Sequence, residues 1–288
     1  MKIGIVGAEN SHTASIAKVV NVEKRIRGAQ VSHVWGETRA FALKAAETGQ
    51  IPQIVKHPAE MIGQVDGVVV DHRHGKFHLP AAKALLEAKI PLFIDKPCCY
   101  RLAEGRRFLA RAAQLKVPVC SFSTLPKQAT FLALQKEARR LGKIHAVITS
   151  GPCDIKSKWG GIFFYGIHQV DMVLRLLGYE LGHAQVVKGA GVNHEAVLTF
   201  ASGALGVMNL IGGGGAGFHV SVIGELGRLD QAITYDQSPY LTGVRAFTTM
   251  FRSGKSPDTT QSMLAPVATL EALEKSVATG RRVKVPSL

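Results

Sequence analysis

Short apolar runs alternate with helical patterns through residues 1–122 of the chain. Predicted strands cover residues 3–6, 31–35, 67–70, 92–94 and 117–121, and predicted helices begin near Ser11, Arg39, His78 and Leu102. Regular alternation of strand and helix is typical of a parallel, doubly wound sheet with helices on both faces. The pattern therefore predicts an α/β domain over residues 1–122.

The pattern changes after residue 122, where strands follow one another. A helix at residues 127–141, a strand at 144–149 and a helix containing His168 are followed by predicted strands at 184–188, 195–200, 205–210 and 219–223. A helix at 263–278 and a strand at 282–285 close the chain. Strands without crossover helices favour an antiparallel or mixed sheet. We expect an α+β domain over residues 123–288 with an open, mostly antiparallel sheet, whose C-terminal helix can pack back on the first domain.

Composition is that of a protein with two domains of ordinary size. The chain has 288 residues, of which 46% are hydrophobic. No apolar run approaches the roughly 20 residues that span a bilayer, so we expect no membrane association. The cysteines show neither metal-ligand spacing nor the density of a disulfide scaffold; they are Cys98, Cys99, Cys120 and Cys153. A cytoplasmic protein is expected.

The chain is strongly basic, with a formal net charge of +14. Its Lys and Arg residues are scattered, and the densest pairs lie in or just after helical patterns without interleaved aromatic residues. This distribution favours a solvated basic face over nucleic-acid binding. The charge suits a phosphorylated cofactor or an acidic small-molecule substrate.

Several segments, in this order along the chain, carry a family resemblance. They are residues 65–71 leading to His78, residues 85–97 ending in Asp95-Lys96-Pro97, Gly166-Ile167-His168 with Asp171, and the closing segment 266–282. Their order resembles the glucose-fructose oxidoreductase/inositol dehydrogenase/MocA (Gfo/Idh/MocA) family. The resemblance implies a Rossmann dinucleotide-binding domain followed by a substrate and oligomerisation domain. It also implies an NAD- or NADP-dependent oxidoreductase acting on a hydroxyl or carbonyl of a sugar or polyol, assembled as a homodimer or homotetramer.

The dinucleotide fingerprint G-x-G-x-x-G is represented by residues 7–12, and it keeps only its first glycine. Glu9 and His12 stand where the second and third glycines let a backbone approach the pyrophosphate and a helix pack closely. Asn10, Ser11 and Thr13 can cap the following helix or donate hydrogen bonds. Through the resemblance, the expected cofactor-binding residues are Gly7, Ala8, Glu9, Asn10, Ser11, His12, Glu37, Arg39, Arg73, His74, His78, Asp95, Lys96 and Pro97.

The choice between NAD and NADP remains open at the end of the second predicted strand. Gly36 takes the position where the family usually has an acidic residue. Glu37 could bind the ribose hydroxyls of NAD, whereas Arg39 could bind the 2′-phosphate of NADP. Both cofactors are therefore retained as alternatives.

Lys96 and His168 are the expected reactive pair, meeting across the domain cleft with the substrate hydroxyl between them. Imidazole changes charge near neutrality and can accept the alcohol proton, while an ammonium group stabilises a developing alkoxide. The family generally has an aspartate four residues before this histidine, where the chain has Phe164. Tyr165 and Asp171 are the expected substitutes that orient His168.

Two other patterns have simpler interpretations than binding motifs. The glycine cluster at residues 212–217 is followed by a strand pattern, so it predicts a connection between strands. Asp71 and the histidines at 72 and 74 lack a closed set of metal ligands, and we expect no metal site. Two functional alternatives also remain: a binding or regulatory protein without turnover, and a lyase or hydrolase that holds NAD tightly.

Overall fold

The computed structural model describes residues 1–288. The first elements in chain order are β1 (Lys2–Val6), α1 (Ser11–Ala17), β2 (Gln30–Trp35), α2 (Arg39–Gly49), β3 (Gln53–Ile54), β4 (Gly67–Val70), α3 (His78–Glu87), β5 (Leu92–Ile94), α4 (Leu102–Leu115) and β6 (Val119–Cys120). The others are α5 (Ala129–Ala138), β7 (Ile144–Pro152), α6 (Ile162–Leu177), β8 (Leu181–Lys188), β9 (Asn193–Phe200), β10 (Leu205–Ile211), β11 (Phe218–Gly224), β12 (Gly227–Ile233), α7 (Leu241–Ser253), α8 (Thr260–Thr279) and β13 (Val283–Lys284).

The chain divides into two compact units. The first comprises residues 1–122 and 238–263, and the second comprises residues 123–237 and 264–288. The sequence predicts domains over residues 1–122 and 123–288; in the structure residues 238–263 belong to the first unit. Residues 238–263, which belong to the first unit, contain helix α7. Most of the C-terminal helix α8 lies in the second unit.

The first unit contains a six-stranded parallel sheet with the order β3-β2-β1-β4-β5-β6, which is the order of the Rossmann fold. The central strands are apolar and buried on both faces, as expected for a parallel sheet covered by helices. All strands of this sheet therefore end at the same edge, where the loops after β1, β4 and β5 come together.

Helix α7 joins the first unit through its apolar face. Its side chains Val244 and Phe247 belong to the same buried core cluster as Ile3 and Phe93. The rings of Phe93 and Phe247 stack with centroids 4.8 Å apart, and a Cβ on Gly67 would meet the ring of Phe251 at 2.5 Å. Burial of such side chains contributes about 1.5–3 kcal/mol each, which explains the return of this segment.

The second unit contains a seven-stranded mixed sheet with the order β12-β11-β7-β10-β9-β8-β13. All neighbouring pairs are antiparallel except β7 and β10. Helix α6 is buried along most of its length and carries His168 and Asp171. The predicted mostly antiparallel sheet is therefore confirmed, and the glycine-rich residues 212–217 connect β10 to β11.

None of the helices has both the length and the apolar character needed to cross a membrane.

Candidate functional site

The loop after β1 begins with a glycine that no other residue could replace without movement. Gly7 has a φ of +111°, and a Cβ at this position would lie 2.7 Å from the carbonyl carbon of Asp71 and 2.8 Å from the amide nitrogen of His72. The backbone of the loop therefore passes directly against the end of β4. This is the tight turn that the first glycine of the dinucleotide fingerprint provides.

Glu37 closes this loop from the end of β2. Its Oε2 accepts hydrogen bonds from the amides of Ala8 at 2.8 Å and Glu9 at 2.9 Å. Its Oε1 is buried and has no hydrogen-bond partner. A buried carboxylate oxygen without a partner is costly and is an acceptor for a ligand hydroxyl. Arg39, by contrast, is exposed at the first position of α2.

His12 and Asp95 form an ion pair at the edge of the sheet. The Nδ1 atom of His12 lies 3.2 Å from Oδ2 of Asp95 and 3.9 Å from Oδ1 of Asp71. The Nδ2 group of Asn10 donates to Asp71 at 2.9 Å and to Asp95 at 3.2 Å. Although burial alone raises the pKa of Asp95, the charge and hydrogen bond of His12, together with the charge of Lys96, hold that pKa below its usual range. Asp95 is therefore an ionised carboxylate.

Asp71 differs from Asp95 in the direction in which its pKa is shifted. Burial and repulsion from Asp95 raise the pKa of Asp71 well above its usual range. The hydroxyl of Thr13 lies 2.7 Å from the carbonyl oxygen of Gly7 and 2.5 Å from Oδ2 of Asp71. Since a hydroxyl has one proton, donation to Gly7 requires Asp71 to donate in turn to Thr13. The raised pKa favours the protonated form of Asp71, whose carboxyl would then donate to Thr13.

The histidines after β4 have different surroundings. His72 is buried, its Nδ1 has no partner, and burial followed by the nearby charge of His78 lowers its pKa to about 4. His78 is fully buried, and its two nitrogens face the carbonyl oxygens of Pro97 and His72 at 2.8 Å. His78 thus connects two loops and offers no free ring nitrogen to a cofactor. His74 is also buried and accepts the amide hydrogen of Lys76 at 3.2 Å, whereas Arg73 is half-buried.

Lys96 follows directly after Asp95 at the end of β5. It is 7% exposed, although lysine is rarely buried. Its charge is one of the factors that lower the pKa values of Asp71 and Asp95. The peptide bond to Pro97 is cis. The end of β5 therefore presents a buried ammonium beside an ionised carboxylate.

In the second unit, His168 is held by Ser123. The Oγ atom of Ser123 lies 2.6 Å from Nδ1 of His168. Asp171 does not bond to His168, because its carboxylate accepts from the amide of Ser123 at 3.3 Å and from Arg175 at 2.8 Å. The ring of Tyr165 is 5.5 Å from that of His168 in an edge-to-face arrangement. Of the two residues expected to orient His168, Tyr165 contacts its ring and Asp171 acts only through Ser123.

The structure brings most predicted cofactor-binding residues of the first unit to one edge of its sheet. Glu37 lies at that edge, whereas Arg39 is exposed at the start of α2. Sequence reasoning indicated Thr13 as a hydrogen-bond donor or cap, considered Asp71 only as a metal ligand, and missed Ser123. The position of Asp71 directly after β4 was a usable signal, since ligands bind at the carboxyl ends of parallel strands.

His12, Asp71 and Asp95 bring potential metal-ligand atoms together. One potential ligand atom from each lies within 4.8 Å of the others. In this structure those atoms are engaged with one another and with Asn10 and Thr13. The expectation that the protein has no metal site stays a prediction.

Comparison with known proteins agrees with this arrangement. Residues 1–122 match the sequence model of Gfo/Idh/MocA, described as an oxidoreductase family with an NAD-binding Rossmann fold. Residues 1–122 are therefore similar to the NAD-binding domain of the Gfo/Idh/MocA family. The resemblance found in the sequence is thereby confirmed, and NAD is the cofactor that the family description names.

The known proteins that this chain resembles are distant from it in sequence and close in fold. YceM of Salmonella typhimurium, whose assignment as an oxidoreductase is itself provisional, is 26% identical over 68% of this chain and 62% of its own length. A probable dehydrogenase from Thermotoga maritima is 21% identical with a TM-score of 0.86, and covers 99% of both chains. The scyllo-inositol dehydrogenase from Lactobacillus casei, solved with NAD(H) and scyllo-inositol, is 15% identical with a TM-score of 0.86, over 100% of this chain and 99% of that one. At such identities the structures show a shared two-domain fold.

Proposed function

We propose that the protein is an NAD-dependent oxidoreductase that transfers a hydride between nicotinamide and a hydroxyl or carbonyl group of a polyol, sugar or related small molecule. The observation that supports it most is the loop after β1. Gly7 leaves space that a Cβ would fill, and Glu37 holds the loop while keeping one buried oxygen without a partner. These residues fit a dinucleotide although two fingerprint glycines are missing.

NAD is proposed over NADP because of the charges at the end of β2. The unpartnered oxygen of Glu37 can accept from a ribose hydroxyl but repels a 2′-phosphate. His72 cannot compensate, since its lowered pKa of about 4 keeps it neutral at pH 7. Arg39 remains exposed. The positive net charge of the chain therefore does not favour NADP at this position.

NAD supplies the hydride acceptor when it is bound. We propose that Gly7, Ala8, Glu9, Asn10, Ser11, His12, Glu37, Asp95 and Pro97 line or shape its site, with Arg73 and His74 beside it. Lys96 donates a hydrogen bond to the substrate oxygen and stabilises the negative charge that develops there. His168 takes the proton that the hydroxyl loses, and Tyr165 and Asp171 support it.

The proposed substrate class follows from the relatives. The structural neighbour from Lactobacillus casei is a scyllo-inositol dehydrogenase with scyllo-inositol bound, and one from Agrobacterium radiobacter contains L-tartaric acid. Both ligands carry hydroxyls on adjacent carbons. We therefore propose a small compound with several hydroxyl groups as the substrate.

We also propose a homodimer or homotetramer built on the second unit's sheet. A Cβ on Gly206 would meet Val173 of α6, so this side of β10 faces α6. The neighbouring Val207 lies on the other face, paired with Ile148 and Val197 on adjacent strands, and all three are only half-buried. Val207→Asp should lower the mass measured by light scattering, whereas Lys44→Asp on exposed α2 should leave it unchanged. A monomeric unmodified protein contradicts the proposal.

The cysteines support a reducing compartment for this enzyme. None of the four forms a disulfide, and all four are buried. Burial, followed by the charge of Asp154, raises the pKa of Cys153 to about 12, so its thiol stays protonated. We propose a cytoplasmic location, which fractionation of the source cells would test.

The central experiment is a calorimetric titration with NAD and with NADP, followed by a screen of polyols and sugars for NADH formation. Tighter binding of NAD and turnover of at least one polyol are expected. Absence of heat with both cofactors contradicts the proposal and favours a binding or regulatory protein. Substrate conversion with no net change in NADH would indicate a lyase or hydrolase instead.

A further inference from the structure

Tyr235 lies in a segment after β12 that is anchored on both sides, although its own side chain is 57% exposed. Before it, the amide of Thr234 donates to the hydroxyl of Thr130 at 3.2 Å, and that hydroxyl donates to the carbonyl oxygen of Thr234 at 3.3 Å. After it, the amide of Asp236 donates to Oε1 of Gln128 at 2.8 Å, and the carboxylate of Asp236 accepts from the first amide of α5 at 3.1 Å. The backbone therefore fixes the position from which an exposed tyrosine ring projects.

The segment carrying Tyr235 lies beside the surroundings of His168. Ile233, two residues before Tyr235, is the strand partner of Phe218. The ring of Phe218 is 5.6 Å from that of His168, and the ring of Tyr165 is 5.5 Å from it, both edge to face. Burial, followed by the nearby Tyr165, raises the pKa of Tyr235. Two tyrosines, one from the first turn of α6 and one from the loop after β12, thus lie close to the proposed proton acceptor.

The side chain of Tyr235 has an apolar and a polar part available to a ligand. Its hydroxyl takes part in no hydrogen bond within the chain, and neither does that of Tyr165. A protonated phenol can donate one hydrogen bond and accept another. The body of the tyrosine ring is apolar and can pack against C–H groups. A cyclic polyol or sugar has both matching surfaces, because C–H groups lie on the faces of its ring and hydroxyls lie around its rim.

We propose that Tyr235 binds the substrate, with its ring against the C–H face of a cyclic polyol or sugar and its hydroxyl bonded to a substrate hydroxyl away from the reacting carbon. The kinetic consequence rests on the proposed oxidoreductase function, but binding of the polyol does not. Because the contacted part of the substrate does not react, Tyr235 stabilises the bound substrate and the transition state equally. Tyr235 therefore selects the substrate and takes no part in proton transfer.

The direct test measures binding without turnover, by nuclear magnetic resonance of the full chain with ¹³C-labelled tyrosine. The protein is titrated in the presence of NADH with scyllo-inositol, myo-inositol and glucose in turn. The ring signals of Tyr235, assigned by their loss in Tyr235→Phe, should shift with at least one compound, whereas those of Tyr179 should not. Tyr235→Phe should weaken binding of that compound about three- to tenfold, as expected for one neutral hydrogen bond, and Tyr235→Ala should weaken it further.

Leu226→Ala is the matched control, because Leu226 is a 76% exposed side chain at the other end of β12. It should bind the same compound as the original protein does. No shift of the Tyr235 ring with any of the three compounds, or equal affinity in folded Tyr235→Ala, would overturn the proposal. So would a change in the mass of Tyr235→Ala measured by light scattering, which would assign the ring to a subunit contact.

Kinetics provide a second test with whichever of these compounds is oxidised. Tyr235→Phe should raise KM for that compound about three- to tenfold, with kcat and KM for NAD unchanged, because it removes uniform binding. Circular dichroism should confirm that each variant is folded. A lower kcat with unchanged KM contradicts the role of Tyr235. If the ring signals shift as expected but no NADH is formed, the binding role stands and the proposed function fails. NADH formation with an unchanged KM in Tyr235→Ala has the opposite meaning.

Discussion

The Nδ1 atom of His12 lies 3.2 Å from a carboxylate oxygen of Asp95, the residue directly before Lys96. A histidine thus occupies the place of the third fingerprint glycine, and its ring is turned onto a buried acid. The residue that replaces the glycine is therefore the one that contacts Asp95. The pair lies at the edge of the sheet, close to the loop proposed to hold the dinucleotide.

Restoring the glycine should harm the protein. His12→Gly leaves Asp95 buried without its ion-pair partner, and we expect a loss of about 1–3 kcal/mol in the free energy of unfolding. Urea denaturation measures this loss. The control is the double variant His12→Gly/Asp95→Asn, in which much of the stability should return because the unpaired charge is removed. A His12→Gly protein as stable as the original would show that the pair contributes nothing.

Asp71 should make the protein less stable as the pH rises. The pKa of Asp71 is raised in the folded protein. Its contribution to the free energy of unfolding is therefore fully present below the unfolded-state pKa of about 3.9, and it is lost as the pH rises through the folded-state pKa. Asp71→Asn imitates the protonated acid and should remove this loss, so the stability difference between variant and original should grow with pH. Denaturation at a series of pH values tests it. Parallel stability profiles would mean that Asp71 is ionised in the folded protein.

Glu37→Gln should change cofactor preference. The amide can still accept from Ala8 and Glu9, but it places a neutral donor where the unpartnered carboxylate oxygen lies. NAD binding should weaken and NADP binding should strengthen, and the ratio of their dissociation constants should change about tenfold or more. Calorimetry with both cofactors measures the ratio. Arg39→Ala should leave it unchanged, and a lower NADP affinity in that variant would assign the 2′-phosphate to Arg39.

Lys96→Ala and His168→Ala should each lower turnover by about 10²–10⁴-fold, the range for a positioned acid–base group. His168→Ala should retain NAD binding, because the proposed cofactor residues lie in the first unit. Lys89→Ala, an exposed lysine near the start of β5, is the matched control and should behave as the original protein. Turnover within a few-fold of normal in either active-site variant would remove that residue from the mechanism.

Strand and helix order in the first domain was predictable because the parallel strands are apolar on both faces. Strand β12, with the sequence GRLDQAI, was missed because a mostly polar strand at a sheet edge lacks an apolar run. Helix α7 was missed although Leu241, Val244 and Phe251 have helical spacing. Helical spacing alone does not say which domain's core such residues join.

The candidate site was predictable where a residue follows a strand and not where residues meet from distant parts of the chain. Lys96 follows β5 and could be placed at the sheet edge. Asn10 contacts Asp71 and Asp95 across 61 and 85 residues, and Ser123 contacts His168 across 45. The raised pKa of Asp71 depends on burial and on its neighbour Asp95, which lies far from it in the chain. It could therefore be inferred only once the fold was known.

The assignment of residues 238–263 to the first unit has a consequence for how the protein is made. During synthesis, the segment carrying Phe247 leaves the ribosome only after the whole of the second sheet's first six strands has been translated. Until then the Rossmann strands lack a ring that stacks on Phe93. A gene fragment that stops at residue 122 would encode the same incomplete core. Co-translational folding of the nucleotide domain should thus finish late, and a chaperone that shields apolar surface would act on it during that interval.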